Sequence, residues 1–382
     1  MPKHILTIII TILAFIFTSC FGNDEPDVKG PTRRTVVVYM VATNSLGTLD
    51  YDTKDINEMK LAIESIGNTN CRLLIYYTAY NSEPSLIEIK NINGKAVTET
   101  LKTYSSNVYS TSIERMSEVF SDIETFAPAT DYGLILWSHA TGWVRELSSK
   151  SIATNSGIDV LDFGEDRKHQ MSITELSEAI PAGMFSFIYA DACYMGSIEI
   201  AYQLRNKTSY YIASPTETLG TGMPYDENIP CFFEETPNLI KACENTFNEY
   251  DSQTGIYRSI TIALTDCSKL QSIAELCHDI HADPTSTEIS PYELQKYNRG
   301  ANPIYVDFLQ YTSLLATKSQ ATTLQNILND AIIYKACTPS FAELEINEEH
   351  FSGLSTYILG TSTPENETFY STLDWHKDVY NH

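Results

Sequence analysis

"FSFIYADACYMGSIEIAYQLRN" (185–206) reads as three pieces in a row. Phe185 to Ala190 is a short apolar run with aromatic content, the mark of a buried strand. Asp191-Ala192-Cys193 ends it, and from Gly196 onward the spacing turns helical. The same alternation runs through the first half of the chain. "TVVVYMVA" (35–42), "CRLLIYYTAY" (71–80), "YGLILWS" (132–138) and "SYYIAS" (209–214) are further strands. Helices are expected at 49–66, 110–126 and 172–180, the last opened by Ser172 with Glu175 three residues on, a capping box. Residues 85–101 alternate around Asn93-Gly94, a hairpin signal. Strands and helices in this order predict an α/β fold, a mostly parallel sheet flanked by helices on both faces. Residues 142–170 read as a polar loop. Past about 230 the pattern is less regular. Helices are expected near 235–249, 268–281, 304–316 and 321–331, strands near 258–264 and 354–359, and a polar surface loop over 281–303.

Composition narrows the function. The chain has 382 residues, 43% of them hydrophobic, enough for one large α/β domain with a substantial extension. Its net charge of −24 argues against nucleic acid as a partner, because phosphate contacts need clustered Lys and Arg. At the N-terminus, Lys3 and His4 precede an uncharged run from Ile5 to Phe17, too short for a confident membrane span and suited to a signal-peptide core. It ends in "FTSC" (17–20), which resembles a bacterial lipobox. That resemblance implies lipidation of Cys20, a membrane anchor, and residence in the cell envelope as an outer-membrane lipoprotein, with surface exposure hinted by the acids that follow. Residues 21–34 form an acidic, Pro/Gly-containing tether. Of eight cysteines, seven remain once Cys20 is set aside, an odd number that leaves at least one thiol unpaired, and no CxxC pair points to zinc or dithiol chemistry.

Two side chains stand where catalytic groups collect. His139 lies at the C-terminal end of the third central strand and Cys193 just past the end of the fourth, the side of an open parallel sheet on which ligands bind. Each alone has a bland reading, Cys193 as a small buried hydrophobe and His139 as a satisfied surface residue. If their strands are neighbours, the tips lie about 5 Å apart. An imidazole can then favour the thiolate and later protonate a leaving group, and the start of the following helix can add to that effect.

"LILWSHATGW" (134–143) and "FIYADACYMGSIEIAYQLRN" (187–206) resemble the two catalytic blocks of the clostripain family of cysteine peptidases. "VVVYMVATNSLG" (36–47), "DFGEDRKHQMSITELSEAI" (162–180) and "YYIASPTETLGTGMPY" (210–225) extend the likeness, which weakens beyond about 226. The resemblance implies a caspase-like fold with a C-terminal α+β extension. Together with the N-terminal reading, it divides the chain into a signal peptide (1–20), a tether (21–34), a catalytic domain (35–230) and a C-terminal part packed on it (231–382). It further implies peptide or protein substrates cleaved through an acyl-enzyme by a His139–Cys193 dyad, with the backbone amides of Ala140 and Cys193 receiving the oxyanion. Asp191, two residues before Cys193, is implied to select Arg or Lys, while Glu217 and Asp226 lie in the following loop and carry no assignment. The chemistry needs no metal or other cofactor. Calcium dependence occurs in the family, but no ligand set is legible here. A monomer is expected. Basic residues Arg145, Lys150, Arg167 and Lys168 lie where family members are matured by cleavage. One departure stands out: Ala140 replaces the family's usual Gly after the His. A left-handed turn there would be strained by the methyl group, which motivates an alternative, a catalytically impaired envelope lipoprotein that binds peptides or glycans.

Overall fold

Valine-rich 36–41 is buried on both faces, and this dictates its place. Val36, Val38 and Met40 join one apolar cluster, Val37, Tyr39 and Val41 the other, as expected of a central strand with helices on either side. The computed structural model describes residues 31–67, 69–144, 163–286 and 289–381. In chain order the strands are β1 (Thr32–Val41), β2 (Cys71–Thr78), β3 (Ser85–Ile92), β4 (Lys95–Thr103), β5 (Ala129–Trp137), β6 (Phe163–Asp166), β7 (His169–Met171), β8 (Phe185–Asp191), β9 (Thr208–Ala213), β10 (Thr261–Asp266), β11 (Tyr305–Asp307) and β12 (Ile332–Cys337), followed by three short ones, Ser340–Phe341, Leu344–Glu345 and Ser355–Tyr357.

Nine of these strands form one sheet in the order β12-β10-β9-β8-β5-β1-β2-β3-β4. The contiguous strands β9, β8, β5, β1 and β2 are parallel, while β3, β4, β10 and β12 add antiparallel margins, so the sheet is mixed, with a parallel centre. The β3–β4 margin follows from local turn chemistry, with Asn93 at φ 55° and Gly94 at φ 83°. The other margin comes from beyond residue 230.

Helices Tyr51–Ile66, Tyr225–Phe232 and Leu239–Asp251 cover one face of the sheet, and Ile113–Phe126, Ile173–Ala179, Ile198–Leu204 and Leu270–Ala282 cover the other. The capping box at Ser172 and Glu175 forms as the sequence predicts. Three departures have local causes. Residues 163–171 form the β6–β7 hairpin inside the stretch read as loop, turning through Arg167 and Lys168 at φ 53° and 71°, a conformation these residue types do not announce. Pro230 lies inside the helix Tyr225–Phe232 and masks it. The 304–316 segment begins as strand β11 and becomes helical only at Phe308–Leu315. Among the described residues, no helix is long and apolar enough to cross a membrane. Cys20, the lipobox and most of the tether lie outside them. All seven described cysteines are free thiols.

Candidate active site

β5 and β8 pair in parallel with Trp137 opposite Asp191. Two residues farther along each chain stand His139 and Cys193, which thus occupy matching positions beyond the carboxyl ends of adjacent strands.

His139 is buried, and its Nε2 lies 2.6 Å from Ser45 Oγ. Ser45 follows β1, the strand on the other side of β5. Asn44 shapes that corner. Its side chain accepts from the Leu46 amide at 2.9 Å and donates to the Val41 carbonyl at 2.8 Å and to Ser138 Oγ at 3.2 Å. Burial pushes the His139 imidazole down to about 4, so it is neutral at neutral pH.

Cys193 is half-buried and its sulfur accepts from the Thr218 amide at 3.2 Å. Burial, then the neighbouring Glu217 carboxylate, push the thiol up to about 12. The expected help from the following helix takes another form. That helix starts only at Ile198, its cap Ser197 accepts from the Ile200 amide at 3.3 Å, and the sulfur receives its N–H from Thr218 instead. In this resting arrangement a neutral thiol and a neutral imidazole each bond to a third group.

The residue after the His is free of the strain that the sequence raised. Positive φ falls on Gly142 (79°) and on Tyr194 (56°), and Ala140 is not among the left-handed residues. No backbone partner among the described residues occupies the Ala140 or Cys193 amide. Gly142 cannot be exchanged so freely. A Cβ there would lie 2.3 Å from Tyr305 Oη and 2.8 Å from the Tyr194 carbonyl. Gly142→Ala is expected to lower unfolding free energy by roughly 1–3 kcal/mol, the usual cost of a strained backbone, in a urea melt. An unchanged midpoint would mean that the turn relaxes.

Asp191 is buried and accepts from the Tyr225 hydroxyl at 3.0 Å and the Met223 amide at 3.2 Å. Burial raises its carboxyl to about 6. A second acid, unmarked in the sequence, lies close by. Asp55 is fully buried in the helix Tyr51–Ile66. Its Oδ2 accepts from Trp137 Nε1 at 2.7 Å, and Oδ1 has no partner. Burial, then Asp191, raise it to about 9. Gly222, at φ 64°, packs on both acids: a Cβ there would meet Asp191 Oδ2 at 2.8 Å and Asp55 Oδ2 at 3.3 Å. Glu217 is held in a two-pronged ion pair by Arg299, and Asp226 is exposed in the first turn of Tyr225–Phe232. Ser45, Asp55, Thr218 and Arg299 escaped the sequence reading. Only Ser45 carried a signal, its place just past the carboxyl end of a central strand.

The family model of the clostripain family matches residues 38–382. The chain belongs to the clostripain family. It is a cysteine peptidase with the caspase-like fold of that family. Among solved structures it resembles an inactive zymogen of a C11 protease from Parabacteroides distasonis, with 31% identity and a TM-score of 0.80 over 93% of this chain and 100% of that one. It also resembles a secreted C11 cysteine protease from Bacteroides thetaiotaomicron, iotapain, with 25% identity and a TM-score of 0.79 over 92% of this chain and 100% of that one. The structure of a secreted C11 protease from the same organism with an irreversible peptide inhibitor gives 26% identity and a TM-score of 0.78, covering 91% of this chain and 99% of that one. None of the curated proteins compared matches the chain. A clostripain-family chain raises the question of calcium. Among the described residues, no group of three or more His, Cys, Asp or Glu side chains is placed to hold a metal ion. No step below runs through calcium.

Proposed function

We propose that this chain is an exported, lipid-anchored endopeptidase that cleaves after Arg or Lys, with Cys193 as nucleophile, His139 as general acid and base, and Asp191 as the specificity acid. The observation that carries the reading is the β5–β8 register, which sets His139 and Cys193 at equivalent places on adjacent strand ends, with Asp191 buried two residues before Cys193. A His139 ring that donates Nε2–H to Ser45 Oγ keeps Nδ1 free as a base. The thiol proton passes to that nitrogen as Sγ attacks the scissile carbonyl. The amides of Ala140 and Cys193 receive the oxyanion, the imidazolium protonates the departing amine, and water then releases the acyl group from sulfur. Because thiol and imidazole both rest neutral, proton transfer belongs to the substrate complex. Lipidation at Cys20 would hold the peptidase on the membrane through residues 21–34, in the cell envelope, and a monomer suffices for the chemistry.

The test is a panel of peptides with Arg, Lys or a neutral residue before the scissile bond, offered to protein lacking residues 1–20. Much faster turnover of the Arg and Lys peptides than of the neutral ones is expected. Failure to turn over any peptide, with no labelling of Cys193 by a thiol-reactive acyl-enzyme mimic, would remove the reading. The chain offers Arg167 and Lys168 for self-cleavage, exposed in the β6–β7 turn; Arg145 and Lys150 lie outside the described residues. Ser45→Ala is expected to reduce kcat roughly tenfold with little change in KM, the worth of one buried hydrogen bond, about 1.4 kcal/mol. Unchanged kcat would mean that packing alone orients the ring.

A further inference from the structure

The stretch 298–305, polar in sequence and remote from both catalytic blocks, touches the two catalytic loops from outside. On the Cys193 side, Arg299 grips Glu217: Nε bonds Oε2, and Nη2 donates to Oε1 at 2.8 Å. Both side chains are largely buried. Glu217 directly precedes Thr218, whose amide reaches the Cys193 sulfur. The loop that carries them is fastened to the Cys193 turn, with the Tyr194 amide donating to the Thr216 carbonyl and the Gly196 amide to the Ser214 carbonyl, both at 2.8 Å. On the His139 side, Tyr305 Oη donates to the Thr141 carbonyl at 3.0 Å and accepts from the Trp143 and Val144 amides at 3.1 and 3.3 Å. Its ring stacks on Tyr194 at 5.7 Å. Asn298 joins the two ends, its Oδ1 accepting from the amides of Ile304 at 2.8 Å and Tyr305 at 3.3 Å.

We infer that Asn298–Tyr305 is a clamp that positions the catalytic pair, Arg299 acting on Cys193 through Glu217 and Thr218, and Tyr305 acting on His139 through the 141–144 turn. The inference rests on the reading of Cys193 and His139 as the dyad. Neither Arg299 nor Tyr305 touches a reacting atom; both are positioning residues. A two-pronged guanidinium–carboxylate pair fixes geometry as well as charge, and removing one partner leaves the other charge uncompensated. The charged groups that act on the thiol are Glu217 on the loop after β9, Asp191 at the end of β8 and Arg299 on the clamp, with Glu343 backing Arg299 at 3.6 Å; Tyr194 is electrostatically coupled to the thiol, and His139 stands at the adjacent strand end. The Glu217 anion disfavours the thiolate and Arg299 favours it, so the two single substitutions push in opposite directions.

The test follows alkylation of Cys193 by iodoacetamide at fixed pH in the full mature chain, read by mass on the peptide that contains Cys193, beside kcat and KM. Arg299→Gln is expected to slow alkylation about tenfold and Glu217→Gln to speed it about tenfold, one pKa unit each way. The double variant should return to within about threefold of the parent. Tyr305→Phe keeps the ring stack and loses the hydroxyl; it should lower kcat about tenfold with KM and the alkylation rate unchanged. Shifts in the same direction, or no shift, overturn the clamp, because a merely structural pair would slow both variants alike. If Arg299→Gln does not fold, Glu217→Gln and the double variant carry the test, and a slowed or unchanged Glu217→Gln overturns it. A fully active Cys193→Ala would instead overturn the dyad reading and not the clamp geometry.

Discussion

Cys193→Ala is expected to lower kcat/KM on the best Arg peptide by about 10⁴-fold or more, the usual cost of deleting a nucleophile that works with a base. The loss should fall on kcat, since the methyl group that remains still allows the peptide to bind. The result is specific to this thiol. Six other described cysteines are present, five of them buried, and among the described cysteines Cys193 is the one two residues past β8, beside the strand end that carries His139. Steady-state assay of the variant, with intact-mass analysis of the parent after an irreversible acyl-enzyme mimic, checks both halves. A single adduct on Cys193 and none on the variant is the expected pattern. Residual activity within about tenfold of the parent would place the nucleophile elsewhere.

Asp191→Asn carries the second large effect. The substitution keeps the shape and the bonds from Tyr225 and Met223 but removes the charge, and losing one member of a buried charge pair costs about 2 kcal/mol or more, roughly 30-fold in kcat/KM. Arg and Lys peptides should lose that much and neutral peptides little, so discrimination collapses from one side. The parent should show the same chemistry through pH. Burial raises the Asp191 carboxyl to about 6, with Glu58 adding to the rise and Lys54 opposing it. Protonation as pH falls through that value removes the anion, and the ratio of Arg to neutral turnover should fall with it. Asp55 stays protonated through the same range because its carboxyl lies near 9. A ratio that holds constant from pH 8 to pH 5, or an Asp191→Asn variant with unchanged discrimination, would leave Asp191 only its structural bonds.

The order of strands and helices was legible because its signals are local. β1, β2, β5, β8 and β9 each carry enough apolar and aromatic side chains to be buried on both faces, and the Asn93-Gly94 and Ser172–Glu175 signals name their turn and cap directly. The elements that were missed are those in which the local preference is overridden. The helix Tyr225–Phe232 contains a proline, and β12 continues the helical run at 321–331 without a break in composition. The helix holds its form by packing on the sheet and β12 by pairing with β10, effects that no window of sequence contains.

The sequence by itself determined the α/β class, the family, and the two strand-end residues His139 and Cys193, since these depend on periodicity and on short continuous blocks. Only the tertiary structure decided their surroundings. It set β5 beside β8, brought Ser45 from 94 residues away to the imidazole, put Thr218 on the sulfur, and lodged Asp55 beside Asp191. It also removed the concern over Ala140, whose backbone is not left-handed, and moved that strain to Gly142 and Tyr194. The reason is physical: hydrogen bonds, burial and charge act through a few ångströms of space. Residues 94 or 136 positions apart leave no periodic trace of such contacts until the chain has closed around them.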